Sequence, residues 1–298
     1  MVAAVTLTAS LAASAALNAQ ATSPPARFTV ISEGHPMTVW GRRPATPQGA
    51  ILLVHGRTWS SRPDFDLQVP GLRRSVMQSL ADRGFAAYAV DLRGYGETPR
   101  DRTGWLTPRQ SAADLHAVLT WVTAQHPALP PPALVGWSRG AGVAMLVAQS
   151  DPRRISALVL FGFVFDPETP YLDTPAPSRP LRLRNTASAA RSDFVSPAVT
   201  PRAVVEAFVT QALKSDPVAA DLKNDGEFNV LDPARLDVPT LLIFGDRDIN
   251  VPPGEGERFL RRLRMPRKQL VSLPGADHAA QLEDTHDAWV AAVAGFIK

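Results

Sequence analysis

Six apolar runs recur along the chain, each bounded by turn residues and separated from the next by a stretch of different periodicity. They are Ala50-Ile51-Leu52-Leu53-Val54, Phe85 to Val90, Ala133 to Trp137, Ile155 to Phe163, Thr240 to Phe244 and Gln269 to Leu273. Most show no polar alternation, as strands do when both faces are buried. Helical spacing fills the intervals, at Leu72 to Arg83, Ser111 to Gln125, Arg139 to Gln149, Gly256 to Leu263 and Thr285 to Ile297. Strands that alternate with helices in this way predict an α/β fold, a mostly parallel central sheet with helices on both faces. Two shorter alternating strands, Arg27 to Ile31 and Met37 to Trp40, precede it around Glu33-Gly34. With 298 residues, 45% of them hydrophobic and 20% charged, the chain can bury a sizeable core.

The rhythm breaks once. Residues 166–237 open with a proline-rich run, Pro167 to Pro180, followed by helical patterns at Pro201 to Ser215 and Pro217 to Leu222. The core is therefore expected over 22–165 and 238–298, with 166–237 inserted between two strand–helix units. The first 26 residues carry no charge and are rich in alanine, and Ala19-Gln20-Ala21 fits a small-x-small cleavage pattern. Residues 1–21 are thus expected to be a signal peptide, and the protein periplasmic or secreted. No Lys or Arg precedes the apolar part, a departure from the usual signal; without a signal the chain would be cytoplasmic. Ser, Thr and Asn interrupt the segment, so stable membrane insertion is not expected.

Composition removes several function classes. Without cysteine there is no disulfide, thiolate metal site or thiol nucleophile. The net charge is only +3 and arginines alternate with acids; the Arg261-Arg262-Leu263-Arg264 cluster has no aromatic platform beside it. It reads as a solvated helix face, and nucleic acid is not an expected partner. Metal-ligand clusters, phosphate loops and dinucleotide fingerprints are all missing from the sequence, so no cofactor or metal is expected.

Chemistry concentrates at the ends of the strands. In Leu134-Val135-Gly136-Trp137-Ser138-Arg139-Gly140, a serine stands where a buried strand passes into a helix. Gly136 and Gly140 let strand and helix approach closely, and the sharp turn holds the serine oxygen out at the carboxyl edge of the sheet. The helix N-terminus places a positive dipole end there. A serine hydroxyl is a poor nucleophile until an oriented base removes its proton. Of the six histidines, His278 lies in a turn-rich loop after the last strand, at the same sheet edge. The acid that orients it is expected after the penultimate strand. Asp248 is the first candidate; Asp246 could instead stabilise the loop, and Asp166 is a third possibility. The oxyanion donors are expected to be the backbone N–H of Arg139 and that of Arg57, with Thr58 second; His55 reads as structural. Trp59, Trp137 and Phe163 flank these loops and are candidate walls of an apolar substrate pocket. The side chains of Arg57 and Arg139 either select an anionic substrate or point to neighbouring acids.

Together, LLVHG, DLRGYGET, GWSRG, FGDRD and GADH occur in the order found in the α/β-hydrolase superfamily, which the chain resembles from about Arg27 to Lys298. The run SLADRGFAAYAVDLRGYGET is similar to serine hydrolases that include carboxylesterases, monoacylglycerol-lipase-like enzymes and serine aminopeptidases. The resemblance implies a triad of Ser138, Asp248 and His278, and a cap formed by residues 166–237. It implies hydrolysis of a small-molecule ester; amide hydrolysis at a substrate N-terminus, with Glu168 or Glu206 holding the amine, and a silent ligand-binding protein are the alternatives. Relatives with an aspartate nucleophile are excluded, because position 138 is serine.

Overall fold

The structure, a computed structural model, describes residues 23–163, 165–172, 177–195 and 199–298. The segment expected to be a signal peptide lies outside them. Eight strands form one sheet: β1 (Ala26–Ser32), β2 (His35–Arg42), β3 (Gly49–Val54), β4 (Phe85–Asp91), β6 (Ala133–Trp137), β7 (Leu158–Phe161), β9 (Thr240–Gly245) and β10 (Lys268–Leu273). Their spatial order is β1-β2-β4-β3-β6-β7-β9-β10. β2 runs antiparallel to both neighbours and every other pairing is parallel. The apolar runs therefore end at one edge, which carries the loops of interest.

The period of two along each strand divides the core. On β3, Leu52 and Val54 face one side, and Ile51 and Leu53 the other, all fully buried. The first side is covered by α3 (Pro108–Gln125) and α4 (Arg139–Ser150), through Leu115, Val118, Val143 and Val147. α7 (Glu255–Arg262) joins them through Phe259. The second side is covered by α2 (Val76–Ala81) and α8 (His286–Phe296), through Met77, Leu80, Trp289 and Val293.

Local chemistry moves several element ends from where periodicity puts them. α2 begins only at Val76, because the Ser75 hydroxyl accepts the Gln78 N–H and caps it there. α3 begins earlier than Ser111, at Pro108, capped by Thr107. β7 stops at Phe161, since Gly162 turns the chain at a φ of 58°. A short helix, α1 (Ser61–Phe65), follows the β3 loop without a sequence signal strong enough to predict it.

The described residues between β7 and β9 fall in the span read above as an insertion. It holds α5 (Ala187–Arg191), α6 (Arg202–Ser215) and 3-10 turns at Asp225–Val230 and Pro233–Arg235. Pro217 to Leu222 is not helical as periodicity predicted; Asp221–Leu222 is a strand, β8, pairing in parallel with β5 (Trp105–Leu106) of the core. The pairing is fixed by Arg100, whose guanidinium bonds Asp221 (3.0 Å) and the Ala219 carbonyl (2.6 Å). A second attachment is Asp216, at the end of α6. Its carboxylate accepts the Ser60 N–H (2.8 Å), the Ser60 hydroxyl (2.7 Å) and the Gly96 N–H (2.8 Å).

Gly140 is one of the tightest points of the fold. A Cβ there would lie 2.2 Å from the His55 carbonyl oxygen and 2.6 Å from that of Val54. Both obstacles are backbone and cannot swing aside. Gly140→Ala is expected to lower unfolding stability by about 3 kcal/mol or more. Gly295→Ala, on the exposed face of α8 with nothing within 4 Å of the new Cβ, is expected to raise it by about 0.5–1 kcal/mol. Urea unfolding of the two variants beside wild type checks the contrast.

Candidate active site

Ser138 sits between β6 and α4 with φ 53° and ψ −124°, a conformation that costs a non-glycine residue about 1–3 kcal/mol. The surroundings enforce it. The Ser138 N–H bonds the Phe161 carbonyl (2.8 Å), and its carbonyl accepts the Ala141 N–H (2.9 Å). A Cβ at Gly136 would lie 2.5 Å from the Gly140 carbonyl oxygen and from the Ala141 Cα. The half-buried serine hydroxyl opens onto a cavity of about 230 Å³ at the carboxyl edge of the sheet.

His278 and Asp248 meet in the loops after β10 and β9. The His278 Nδ1–H donates to Asp248 Oδ2 at 2.9 Å, and Asp248 Oδ1 accepts the Asn250 N–H at 2.9 Å. Asp248 is buried, and its two oxygens are thereby both engaged. With its proton on Nδ1, the ring keeps Nε2 free to accept. Gly162 joins this pair to the serine. It borders the Ser138 cavity, and a Cβ on it would lie 3.0 Å from His278 Nδ1 and 3.3 Å from Asp248 Oδ2. No hydrogen bond connects Ser138 and His278 among the described residues. The other acids considered have other partners: Asp246 accepts the N–H of Gly275 in the loop after β10, and Asp166 accepts the Glu168 N–H.

The N–H groups of Arg57, Thr58 and Arg139 have no acceptor among the described residues, and Arg57 and Arg139 both border the cavity. His55 braces the Arg57 loop. Its Nε2 accepts the Leu92 N–H (3.0 Å), so Nδ1 carries the hydrogen and donates to the Gly56 carbonyl (3.0 Å). Complete burial lowers its pKa to about 4, with Arg139 adding to the effect, and the ring stays neutral.

Of the three aromatic residues read as pocket walls, Phe163 lines the cavity. Trp59 and Trp137 are instead buried beneath the loops, because their indole N–H groups have partners there. Trp59 donates to Asp193 (2.5 Å) and Trp137 to the His278 carbonyl (2.9 Å). The remaining walls come from Tyr171, Asp225 and Phe228 of the insertion and from Asn250. Asn250 stood in a loop already singled out; the other three had no periodicity or motif to mark them. Arg139 bonds the Asp225 carboxylate at 2.7 Å, as a side chain pointing to a neighbouring acid would, whereas the Arg57 guanidinium comes only within 3.9 Å of the same group.

Comparison with known proteins follows this geometry. Several solved structures share the architecture. An epoxide hydrolase from Vigna radiata gives a TM-score of 0.65 at 18% identity, covering 93% of this chain and 99% of that chain. A monoacylglycerol lipase from Paleococcus ferrophilus gives 0.59 at 18% identity, covering 87% and 98%. The protein thus has the α/β-hydrolase fold. Its residues 45–285 match the family described as serine aminopeptidase, S33, and the chain belongs to that family. Among curated proteins, it is 28% identical over 252 residues to a pimeloyl-[acyl-carrier protein] methyl ester esterase of Neisseria meningitidis serogroup B, covering 77% of this chain and 85% of that protein. It is 24% identical over 242 residues to a monoacylglycerol lipase of Mycolicibacterium smegmatis, covering 78% and 81%.

A buried acid pair underlies the His278 loop. Glu283 Oε2 accepts the Asp277 N–H at 3.0 Å, and Asp277 Oδ1 accepts the Ala279 N–H at 3.0 Å. Burial, and then the neighbouring Asp277 carboxyl, push the Glu283 pKa up to about 9. Its folded value exceeds the unfolded one, so its contribution to stability is full at low pH and is lost as pH rises toward 9. Burial raises Asp91 and Asp193 only to about 6, while fully buried Asp64 is raised well above the usual carboxylate range and adds to the same slope. Wild-type Tm is therefore expected to go on falling between pH 7 and 9, and Glu283→Gln to flatten that part of the curve. Differential scanning calorimetry across the range reads it; an unchanged slope would mean that Glu283 is ionised throughout.

Proposed function

We propose that this α/β-hydrolase cleaves carboxylic esters through an acyl-enzyme intermediate on Ser138. The observation that carries the reading is the buried Asp248–His278 pair packed against Gly162, which also borders the cavity onto which Ser138 opens. Asp248 keeps the imidazole proton on Nδ1, and Nε2 takes the proton of the serine hydroxyl. The oxygen attacks the ester carbonyl, and the Arg57 and Arg139 amides receive the oxyanion. His278 then protonates the leaving alcohol, and a water activated by the same ring releases the acid. The names of the curated relatives, a methyl ester esterase and a monoacylglycerol lipase, support ester chemistry. The charge-free N-terminal run supports export to the periplasm or beyond.

The description of the family favours a second reading, amide hydrolysis at a substrate N-terminus. That chemistry needs a carboxylate free to hold an ammonium group. Among the described residues lining the cavity the only carboxylate is that of Asp225, and its two oxygens face Arg139 and Arg57. Glu168 is paired with Arg262 and Glu206 with Arg191. These pairings support the ester over the amine-bearing substrate.

A fluorophosphonate probe is expected to label wild type and not Ser138→Ala. Hydrolysis of a short p-nitrophenyl ester should fall about 10⁴-fold or more in the same variant. Continued labelling and turnover by Ser138→Ala would falsify the assignment. An aminoacyl-naphthylamide cleaved faster than any ester would favour the second reading.

A further inference from the structure

The cavity beside Ser138 holds an unbalanced set of charges. Arg139 is nearly buried, its side chain 8% exposed, and its Nη2 donates to Asp225 Oδ1 at 2.7 Å. Its guanidinium also lies over the Phe228 ring, 5.2 Å from the centroid. Arg139 is therefore fixed, and Asp225 neutralises it. Arg57 differs. Its closest approach to Asp225 is 3.9 Å, beyond hydrogen-bond length, and its side chain is 67% exposed. Its guanidinium makes no hydrogen bond among the described residues. Two cations thus share one carboxylate, and the surplus charge stands on Arg57, which lines the cavity together with Ser138.

We infer that the substrate carries a carboxylate near its scissile ester, and that Arg57 selects it by pairing with that carboxylate. The inference rests on the ester reading above and narrows its substrate class to half-esters of dicarboxylic acids or equivalents with a charged acyl or alcohol chain. The chemistry of the two arginines supports this division of work. A guanidinium presents its donors in a planar fork that matches a carboxylate. Arg139 gives one donor, Nη2, to Asp225 and has a buried Nε with no partner among the described residues, whereas the exposed guanidinium of Arg57 keeps all its donors. Asp225 has a second effect: it draws Arg57 inward without bonding it, which aims the group at the cavity and leaves its donors available. Phe163 and Phe228 supply an apolar surface for the carbon chain between the two polar ends.

The experiment compares p-nitrophenyl hydrogen adipate with p-nitrophenyl adipamate, which has the same shape and no charge. Wild type is expected to prefer the anionic ester by about tenfold or more in kcat/KM, chiefly through KM. Added salt should shrink the preference, because Arg57 is exposed. Arg57→Gln should bring the ratio of the two substrates close to one, whatever it does to both rates through the backbone. Asp225→Asn should raise the ratio, since it removes the anion that competes for both arginines. Equal rates on the two esters in wild type, or a preference that survives Arg57→Gln, would overturn the inference and leave the esterase reading standing. Calorimetric titration with adipate and with adipamide needs no turnover. Adipate binding that requires Arg57, in a protein that cleaves neither ester, would support the anion site and sink the esterase reading. Adipate binding no tighter than adipamide would overturn the anion site on its own.

Discussion

The approach of α4 to the end of β3 governs the rest of the molecule. Gly140 lies so close to the Val54 and His55 carbonyls that no side chain fits between them. Because of it, the loop leaving β3 and the turn leaving β6 occupy adjoining space. Ser138 and the N–H groups of Arg57 and Arg139 can then border a single cavity. A parallel device serves the other half of the site. A Cβ on Gly245 would meet the Ala276 carbonyl oxygen at 2.2 Å, so the loops that carry Asp248 and His278 are pressed together in the same way. Two backbone contacts, each possible only for glycine, set the positions from which the Ser138, Asp248 and His278 side chains project.

Much of this was legible in the sequence, for a physical reason. Strands buried on both faces must be apolar without interruption, so Ala133–Trp137 could be read to the residue. The carboxyl ends of parallel strands share an edge, so the sequence alone assigns Ser138, Asp248 and His278 to that edge. What escaped reading depends on long-range contact. Asp225, Tyr171 and Phe228 line the cavity only because of the path of the insertion, and no local pattern encodes that path. The Pro217 to Leu222 stretch has helical spacing, yet pairing with Trp105–Leu106 holds its end as strand. Trp59 and Trp137 sat beside the right motifs, but the partners of their indole nitrogens drew them under the loops.

The underside of the site is acidic and carries little compensating charge. Asp64, Asp91, Asp193 and Asp216 are all raised by burial; the other three raise Asp64 further, and Asp216 raises Asp91. Their hydrogen bonds go mainly to N–H and O–H groups of the loops: Asp91 holds the Trp40 indole and the Ser61 and Glu97 amides, and Asp64 holds the Gly56 amide. A carboxylate can fix two or three donors at once, which suits irregular backbone that no sheet or helix satisfies. The loops are thereby held in shape by groups that would prefer to be neutral. The DLRGYGET turn belongs to this framework, with Arg93 paired to buried Asp114 through two bonds of 2.7 Å.

The attachments of the insertion bear on how such a protein can diversify. Asp216 satisfies donors in two separate core loops, and Arg100 of the core satisfies a carbonyl and a carboxylate of the insertion. An insertion tied in this way is not an interchangeable cassette. Grafting a foreign one would strand the Ser60 and Gly96 amides and leave β5 without its neighbour. The lining of the cavity can instead be altered one residue at a time, at positions such as 171, 225 and 228, with the seam left as it is.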